Sequence, residues 1–218
     1  MIIYLPVVHM PHETTYRTFI AVEIPNGIRR RVTKHIDQLR SQVPDVRASW
    51  TREDNLHLTL KFLGEVPIAR IPILSNAVAE ASHDMKPFRL IVSSCGAFPA
   101  RGRPKVLWIG VEARNAGLMP ASSPSETQAS SLHVLQETLE HHCETAGFDR
   151  EARAYQPHLT IARLRDSRGS RELAEYHQRA GFPQQAFTVS ELVVFRSELS
   201  SKGSKHTALS RHELNIGG

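Results

Sequence analysis

The chain has 218 residues, 40% hydrophobic and 22% charged, with 27 Lys and Arg against 22 Asp and Glu for a formal charge of +5. This is globular composition, too apolar for a disordered chain and long enough for a sizeable core in one domain or two joined lobes. The basic balance suits a polyanionic partner such as nucleic acid. The two cysteines, Cys95 and Cys143, form no CxxC pair, so no zinc ribbon or redox motif is visible and free thiols in a reducing compartment are expected.

Residues 1–15 read as an extension ahead of the first strand, with Met10 as an alternative start. The opening MIIYLPVVHM is apolar but has no basic region before it, and Pro6 and His9 interrupt a run already too short for a membrane span. A cytoplasmic protein with no membrane contact is the expectation. A β-rich run at 18–24 ends at Pro25-Asn26-Gly27. Ile28, Val32, Ile36, Leu39 and Val43 then recur at helical spacing, with Arg29, Arg30, Lys34 and Arg40 between them, until Pro44 stops the helix. A short strand at 46–51 and a turn at Arg52–Asn55 lead to a strand at 56–63 that closes at Gly64. A second helix is predicted over 69–84, with Pro72 in its first turn, and a strand over 88–95 precedes a basic loop from Pro99 to Pro104.

The second half repeats the order. A strand at 105–112 is followed at 113–130 by a Ser-, Ala-, Pro- and Gly-rich stretch without periodicity, read as a flexible insertion. A helix over 131–146 carries Leu132, Leu135, Leu139 and Cys143 on one stripe, with Gly147 as its cap. A strand at 158–164, a helix at 170–180 and two strands at 186–196 and 204–214 complete the chain, the last two joined at Lys202-Gly203. Strand, helix, strand, helix, strand thus occurs twice. The fold class is α+β, a duplicated unit forming a single domain over 16–214.

The duplication carries one phrase twice. His57-Leu58-Thr59-Leu60 and His158-Leu159-Thr160-Ile161 lie 101 positions apart, each on a strand. Side chains alternate along a strand, so each His shares a face with its Thr. One such motif is an ordinary strand pattern. Its recurrence at the same place in a repeated topology points to a paired site, because packing has no need of His in both copies. Two imidazoles supply a general base and a general acid near neutral pH, and two hydroxyls can hold an anion between them. That equipment suits hydrolysis of a 2′,3′-cyclic phosphate without a metal. A neutral imidazole takes a proton from the attacking water, a protonated one gives a proton to the departing ribose oxygen, and Thr59 and Thr160 donate to the non-bridging oxygens. Alternation places Lys61 on the face of His57 and directs Phe62 and Arg163 away from the histidines. His141-His142-Cys143 is not read as a metal site, since helix neighbours diverge and no further ligands follow at zinc spacing. Arg101, Arg103 and Lys105 make the basic loop a possible backbone contact, with a solvated loop as the plainer reading.

On Arg17–Val22, Asn55–Gly64, Gly96–Pro99, Val106–Trp108 and Pro157–Arg163, the chain resembles the two-histidine phosphoesterase superfamily, and within it the LigT/ThpR-type RNA 2′,3′-cyclic phosphodiesterases, also called 2′-5′ RNA ligases. The resemblance implies a bilobal, pseudo-twofold fold with antiparallel sheets lining a central groove. It implies metal-independent opening of a 2′,3′-cyclic phosphate on an RNA end to a 2′-phosphomonoester. No cofactor is expected, no obligate protein partner is evident, and a monomer is the expectation. The resemblance assigns His57 as proton donor and His158 as proton acceptor, and favours Arg163 and Phe62 as substrate contacts. Two departures stand out. The 113–130 insertion is long, and where the family tends to have Gly followed by Tyr this chain has Gly203 and then His206. Three other readings remain open at this stage: 2′-5′ ligation of tRNA halves, a phosphodiesterase for small cyclic nucleotides, and a non-catalytic binder of RNA ends.

Overall fold

A computed structural model describes residues 14–113, 130–201 and 203–215. The extension read at 1–15, apart from its last two residues, and the insertion read at 113–130, apart from its ends, lie outside the described residues. Two antiparallel sheets face one another. The smaller has the order β3-β1-β8-β9, from β1 (Thr15–Glu23), β3 (His57–Pro67), β8 (Glu191–Ser200) and β9 (Gly203–Glu213). The larger has the order β2-β6-β5-β4-β7, from β2 (Ala48–Trp50), β4 (Phe88–Phe98), β5 (Val106–Ala113), β6 (His158–Leu164) and β7 (Gln185–Val189).

Among the described residues four α-helices form, close to where the sequence predicts them: α1 (Asn26–Gln42), α2 (Ile71–His83), α3 (Ser131–Thr145) and α4 (Ser170–Ala180). In α1, Ile28, Val32, Ile36 and Leu39 turn inward while the arginines face solvent or the surface layer. Pro72 sits in the first turn of α2, where a missing N–H costs nothing. The Ser130 side chain caps α3 by accepting from the His133 N–H, and Gly147 follows that helix at φ +80°, a conformation open to glycine. The helices pack in two pairs, α1 with α4 and α2 with α3. The second pair lies against β3, β8 and β9, and α4 lies against β4. One continuous apolar core joins both layers.

The duplication is present but its halves are exchanged. In each sheet the His-bearing strand pairs with the strand that opens its own half, β3 with β1 and β6 with β5. The next strand inward comes from the other half: β8 beside β1, and β4 beside β5. The span read as one strand at 186–196 is therefore two. It breaks at Ser190, with β7 finishing the larger sheet on β4 and β8 crossing to the smaller one on β1. Only the short polar step Ser190-Glu191 marks this break, and such a step also occurs within single strands. The strand expected to close at Gly64 instead runs on to Pro67, since Gly64 at φ +70° accommodates a bulge that leaves Leu63 unpaired against β1.

Candidate active site

The sheets enclose a cleft of about 400 Å³ lined by all six residues singled out in the sequence: His57, Thr59, Phe62, His158, Thr160 and Arg163. Alternation alone would have brought only four of them there. In β3, Ile20 pairs with Lys61 and Ala21 with Thr59, which leaves Leu60 as an extra residue. In β6, Leu107 pairs with Ala162 and Trp108 with Thr160, which leaves Ile161 extra. Each bulge falls three residues after its histidine and reverses the alternation beyond it. Phe62 and Arg163, each five residues after its histidine, consequently rejoin the face of the histidines. Both are exposed to the cleft rather than packed away, Phe62 at 46%.

The same reversal moves Lys61 off the His57 face. It is 3% exposed, and its Nζ lies 2.5 Å from Glu140 Oε2 on α3 and donates to the Asp149 carbonyl at 2.7 Å. Glu140 also accepts from Gln136 Nε2 and from the Glu151 N–H, so the buried charge pair is well supplied with hydrogen bonds. Lys61 is thus a structural cation behind the strand, not a cleft residue.

Each histidine is held the same way. His57 Nδ1 lies 2.8 Å from the Asn55 carbonyl, and His158 Nδ1 lies 2.7 Å from the Gln156 carbonyl, in both cases two residues back along the chain. A carbonyl can only accept, so both Nδ1 atoms carry the proton and Nε2 is the nitrogen available for proton exchange. The Phe19 ring stacks on His57 at 4.7 Å, and Phe98 meets His158 edge-on at 5.0 Å, which restrains both imidazoles. Hydroxyls also hold the backbone at both threonines, the first from across the cleft and the second from within the larger sheet. Tyr155 Oη donates to the Thr59 carbonyl at 3.2 Å, and Thr51 Oγ1 donates to the Thr160 carbonyl at 2.9 Å.

Burial lowers the pKa of both imidazoles. His57 falls to about 4, through desolvation first and then the nearby His206, against the opposing pull of the Asn55 carbonyl. His158 is also lowered, again by desolvation, with Arg163 adding to the effect and the Gln156 carbonyl opposing it. Both are therefore neutral at pH 7 in the free protein. The charge for an acid must come with an anion, and the lining is built to attract one. Arg17, Arg52 and Arg163 are there and, among the described residues, no carboxylate is. Arg17 lies over the Phe62 ring at 4.9 Å, which ties that aromatic to the cation.

Several lining residues carry little or no site signal in the sequence. His206 is the main one. Its ring meets His57 edge-on at 5.1 Å and Phe19 at 4.9 Å. The only signal for it is the departure after Gly203. Asn55 fixes that wall, donating from Nδ2 to the Ser204 carbonyl at 2.8 Å and so joining the turn before β3 to β9. Phe19, Ala21, Val193 and Phe195 form a small second core on the cleft face of the smaller sheet. The basic loop residues Arg101, Arg103 and Lys105 are exposed and lie outside the lining. His142, from the discounted His-His-Cys run, lies near Glu80 and Asp84 on the α2 side, while Cys143 is buried in the core.

Two antiparallel sheets exchanging strands about a pseudo-twofold, with a histidine and a threonine from each, define a two-histidine phosphoesterase. The sequence matches the family model described as LigT like Phosphoesterase over residues 22–108 and 123–205, and the chain belongs to that family. It is 30% identical over 192 residues to the RNA 2′,3′-cyclic phosphodiesterase of Methanothermobacter thermautotrophicus, covering 88% of this chain and 95% of that one. It is 30% identical over 190 residues to the protein of the same name from Archaeoglobus fulgidus, covering 86% and 94%. Among solved structures, TT0787 of Thermus thermophilus superposes with a TM-score of 0.68 at 25% identity, covering 91% of this chain and 97% of that one. LigT of Escherichia coli, solved with 3′-AMP, shares the fold with a TM-score of 0.63 at 24% identity, over 92% and 98%. Among the described residues, no helix is long and apolar enough to cross a membrane.

Proposed function

We propose that the protein is an RNA 2′,3′-cyclic phosphodiesterase that opens the cyclic phosphate at an RNA end to a 2′-phosphomonoester. The observation that carries this reading is the pair of equivalent histidines, each with Nδ1–H held by a carbonyl two residues back, in one cationic cleft. Relatives that match nearly their whole length bear that activity in their names.

The reaction follows from the side chains. The cyclic phosphate brings one negative charge among Arg17, Arg52 and Arg163. Thr59 and Thr160 donate to its non-bridging oxygens, where charge grows as phosphorus becomes five-coordinate. His158 Nε2 takes a proton from water as its oxygen attacks phosphorus in line. The P–O3′ bond breaks, and His57 Nε2–H gives its proton to O3′. The acid and the base each contribute about 10²–10⁴ in rate. His57 as donor and His158 as acceptor follow the family resemblance; the two nitrogens are otherwise near equivalents. Phe62 and Arg163 flank the phosphate on either strand and contact the nucleoside or the preceding phosphate.

The test uses an RNA oligomer ending in a 2′,3′-cyclic phosphate, incubated in excess EDTA with the parent protein, His57→Ala and His158→Ala. Phosphorus NMR identifies the product. A 2′-phosphate formed by the parent and lost in both variants is expected. RNA binding without turnover by the parent would overturn the reading in favour of an end-binding protein.

A further inference from the structure

Behind the larger sheet, away from the cleft, a second set of chemistry-bearing side chains meets. His35 on α1, Cys95 on β4 and His177 on α4 each place one donor atom, a ring nitrogen or the thiol sulfur, within 4.8 Å of the others. His35 and His177 are 7% and 0% exposed, while Cys95 is half-buried. His35 Nε2 and His177 Nδ1 are 2.9 Å apart. The sequence hides this cluster, because its members are separated by tens of residues and follow no ligand spacing.

Two features go beyond a chance meeting. His177 Nε2 lies 2.9 Å from the Trp108 carbonyl, which can only accept, so His177 carries its proton on Nε2 and turns its Nδ1 lone pair to the cluster, where it accepts from His35 Nε2–H. A backbone carbonyl holding the far nitrogen is the usual support of a metal-binding histidine. Cys95 is aimed there by a bulge: Ser94 is unpaired between Ser93 and Cys95 and sits at φ 59°, a conformation costly for a residue with a Cβ. Were Ser94 regularly paired, strict alternation would put Cys95 on the cleft side of β4. Gly110 across the strand makes room for it, since a Cβ there would lie 2.3 Å from Ser94 Oγ.

We propose that His35, Cys95 and His177 form a binding site for a soft d¹⁰ cation, Cu⁺ or Zn²⁺, that cross-links α1, β4 and α4. Binding requires Cys95 to lose its thiol proton to solvent and His35 to carry its remaining proton on Nδ1, freeing Nε2. Metal–nitrogen bonds of about 2.0 Å and a metal–sulfur bond of about 2.3 Å need donor separations of roughly 3.3–3.6 Å, so the two imidazoles open by about half an ångström. Cu⁺ with one thiolate and two neutral imidazoles gives an uncharged three-coordinate centre. Zn²⁺ leaves one positive charge and requires a fourth ligand, reached on the half-exposed side of Cys95. The ion takes no part in the cleft chemistry. It would lie one residue behind the cleft wall, since Trp108 pairs with Thr160 across β5 and β6.

The full-length protein, stripped with a chelator under reducing conditions, would be titrated with Cu⁺ and with Zn²⁺ against chromogenic competitors, and with Co²⁺ as a spectroscopic probe. Cys95→Ser and Cys143→Ser are run in parallel. The expected result is uptake of one equivalent of Cu⁺ or Zn²⁺ by the parent and by Cys143→Ser, lost in Cys95→Ser. A thiolate-to-Co²⁺ charge-transfer band and slower alkylation of Cys95 in the loaded parent should accompany it. The ion that binds identifies the source. Uptake below a tenth of an equivalent, or uptake equal in Cys95→Ser, overturns the proposal. The alkylation rate reads the parent itself, so a misfolded variant would not obscure the outcome.

Discussion

Loading the acid is the step for which the cleft geometry makes the sharpest demand. His57 is brought from its ordinary 6.5 to about 4. At about 1.36 kcal/mol per unit, burial and the neighbouring imidazoles therefore oppose its protonation by about 3 kcal/mol. A single negative charge about 4 Å from the ring, at an effective dielectric near 20, favours the imidazolium by ~4 kcal/mol. The two nearly cancel. A phosphodiester in the cleft should accordingly raise His57 by about 2–3 units, to near neutrality, where an acid is most effective. The perturbation is saturation with a nucleoside phosphodiester that lacks a 2′-hydroxyl, so that its charge stays constant and it cannot react. Imidazole nitrogen chemical shifts followed by NMR, with the His57 signal assigned by its loss in His57→Gln, give the pKa with and without ligand. A free value near 6.5, or a rise of less than one unit at saturation, would refute the reasoning. The kinetic counterpart is a bell-shaped profile whose kcat/KM optimum, which reads the free enzyme, lies at lower pH than its kcat optimum.

Replacing Lys61 by Met leaves Glu140 charged and buried, which should cost about 3–5 kcal/mol and lower Tm by roughly 6–20 °C, whereas Lys61→Met with Glu140→Leu should recover most of it; a single variant as stable as the parent in calorimetry would contradict the buried pair. Phe62→Ala and Arg163→Ala should raise KM for a cyclic-phosphate-ended RNA by about tenfold or more, with a smaller fall in kcat, because both flank rather than perform the proton transfers; an unchanged KM in both would place them outside the substrate path. His57 and His177 both have folded pKa values near 4, below the unfolded 6.5, so the unfolded chain binds more protons between those limits. Stability should be fully present above about pH 6.5 and fall as the pH drops toward 4, by up to about 3 kcal/mol for each group, and urea midpoints equal at pH 7 and pH 5 would count against it. Gly96→Ala puts a Cβ 2.1 Å from Trp108 Cζ2, so the indole must move, and a loss of about 1–3 kcal/mol in urea unfolding is expected.

Read alone, the chain's residue pattern marks the paired histidines and threonines and most of the local structure. The apolar spacing of α1 and α3 specifies helices because their stripes bury as units, and α4 and β6 fall at the residues the pattern marks. The repeated His-Leu-Thr phrase identifies the paired site because a histidine and a threonine two apart share a strand face whatever surrounds them. Tertiary structure decides everything that depends on register between distant segments. Strict alternation sends Phe62 and Arg163 away from the cleft and Lys61 into it, and all three are reversed by the bulge three residues after each histidine, at Leu60 and Ile161. A bulge is settled by how two strands fit across the sheet, and nothing in either strand alone announces it. The break at Ser190, which sends β7 and β8 to different sheets, depends likewise on distant partners: the short polar step Ser190-Glu191 does not say that the strands on either side join different layers. His206 beside His57, and Cys95 between His35 and His177, are meetings of residues far apart in the chain. Only the packing of the two exchanged halves brings them together.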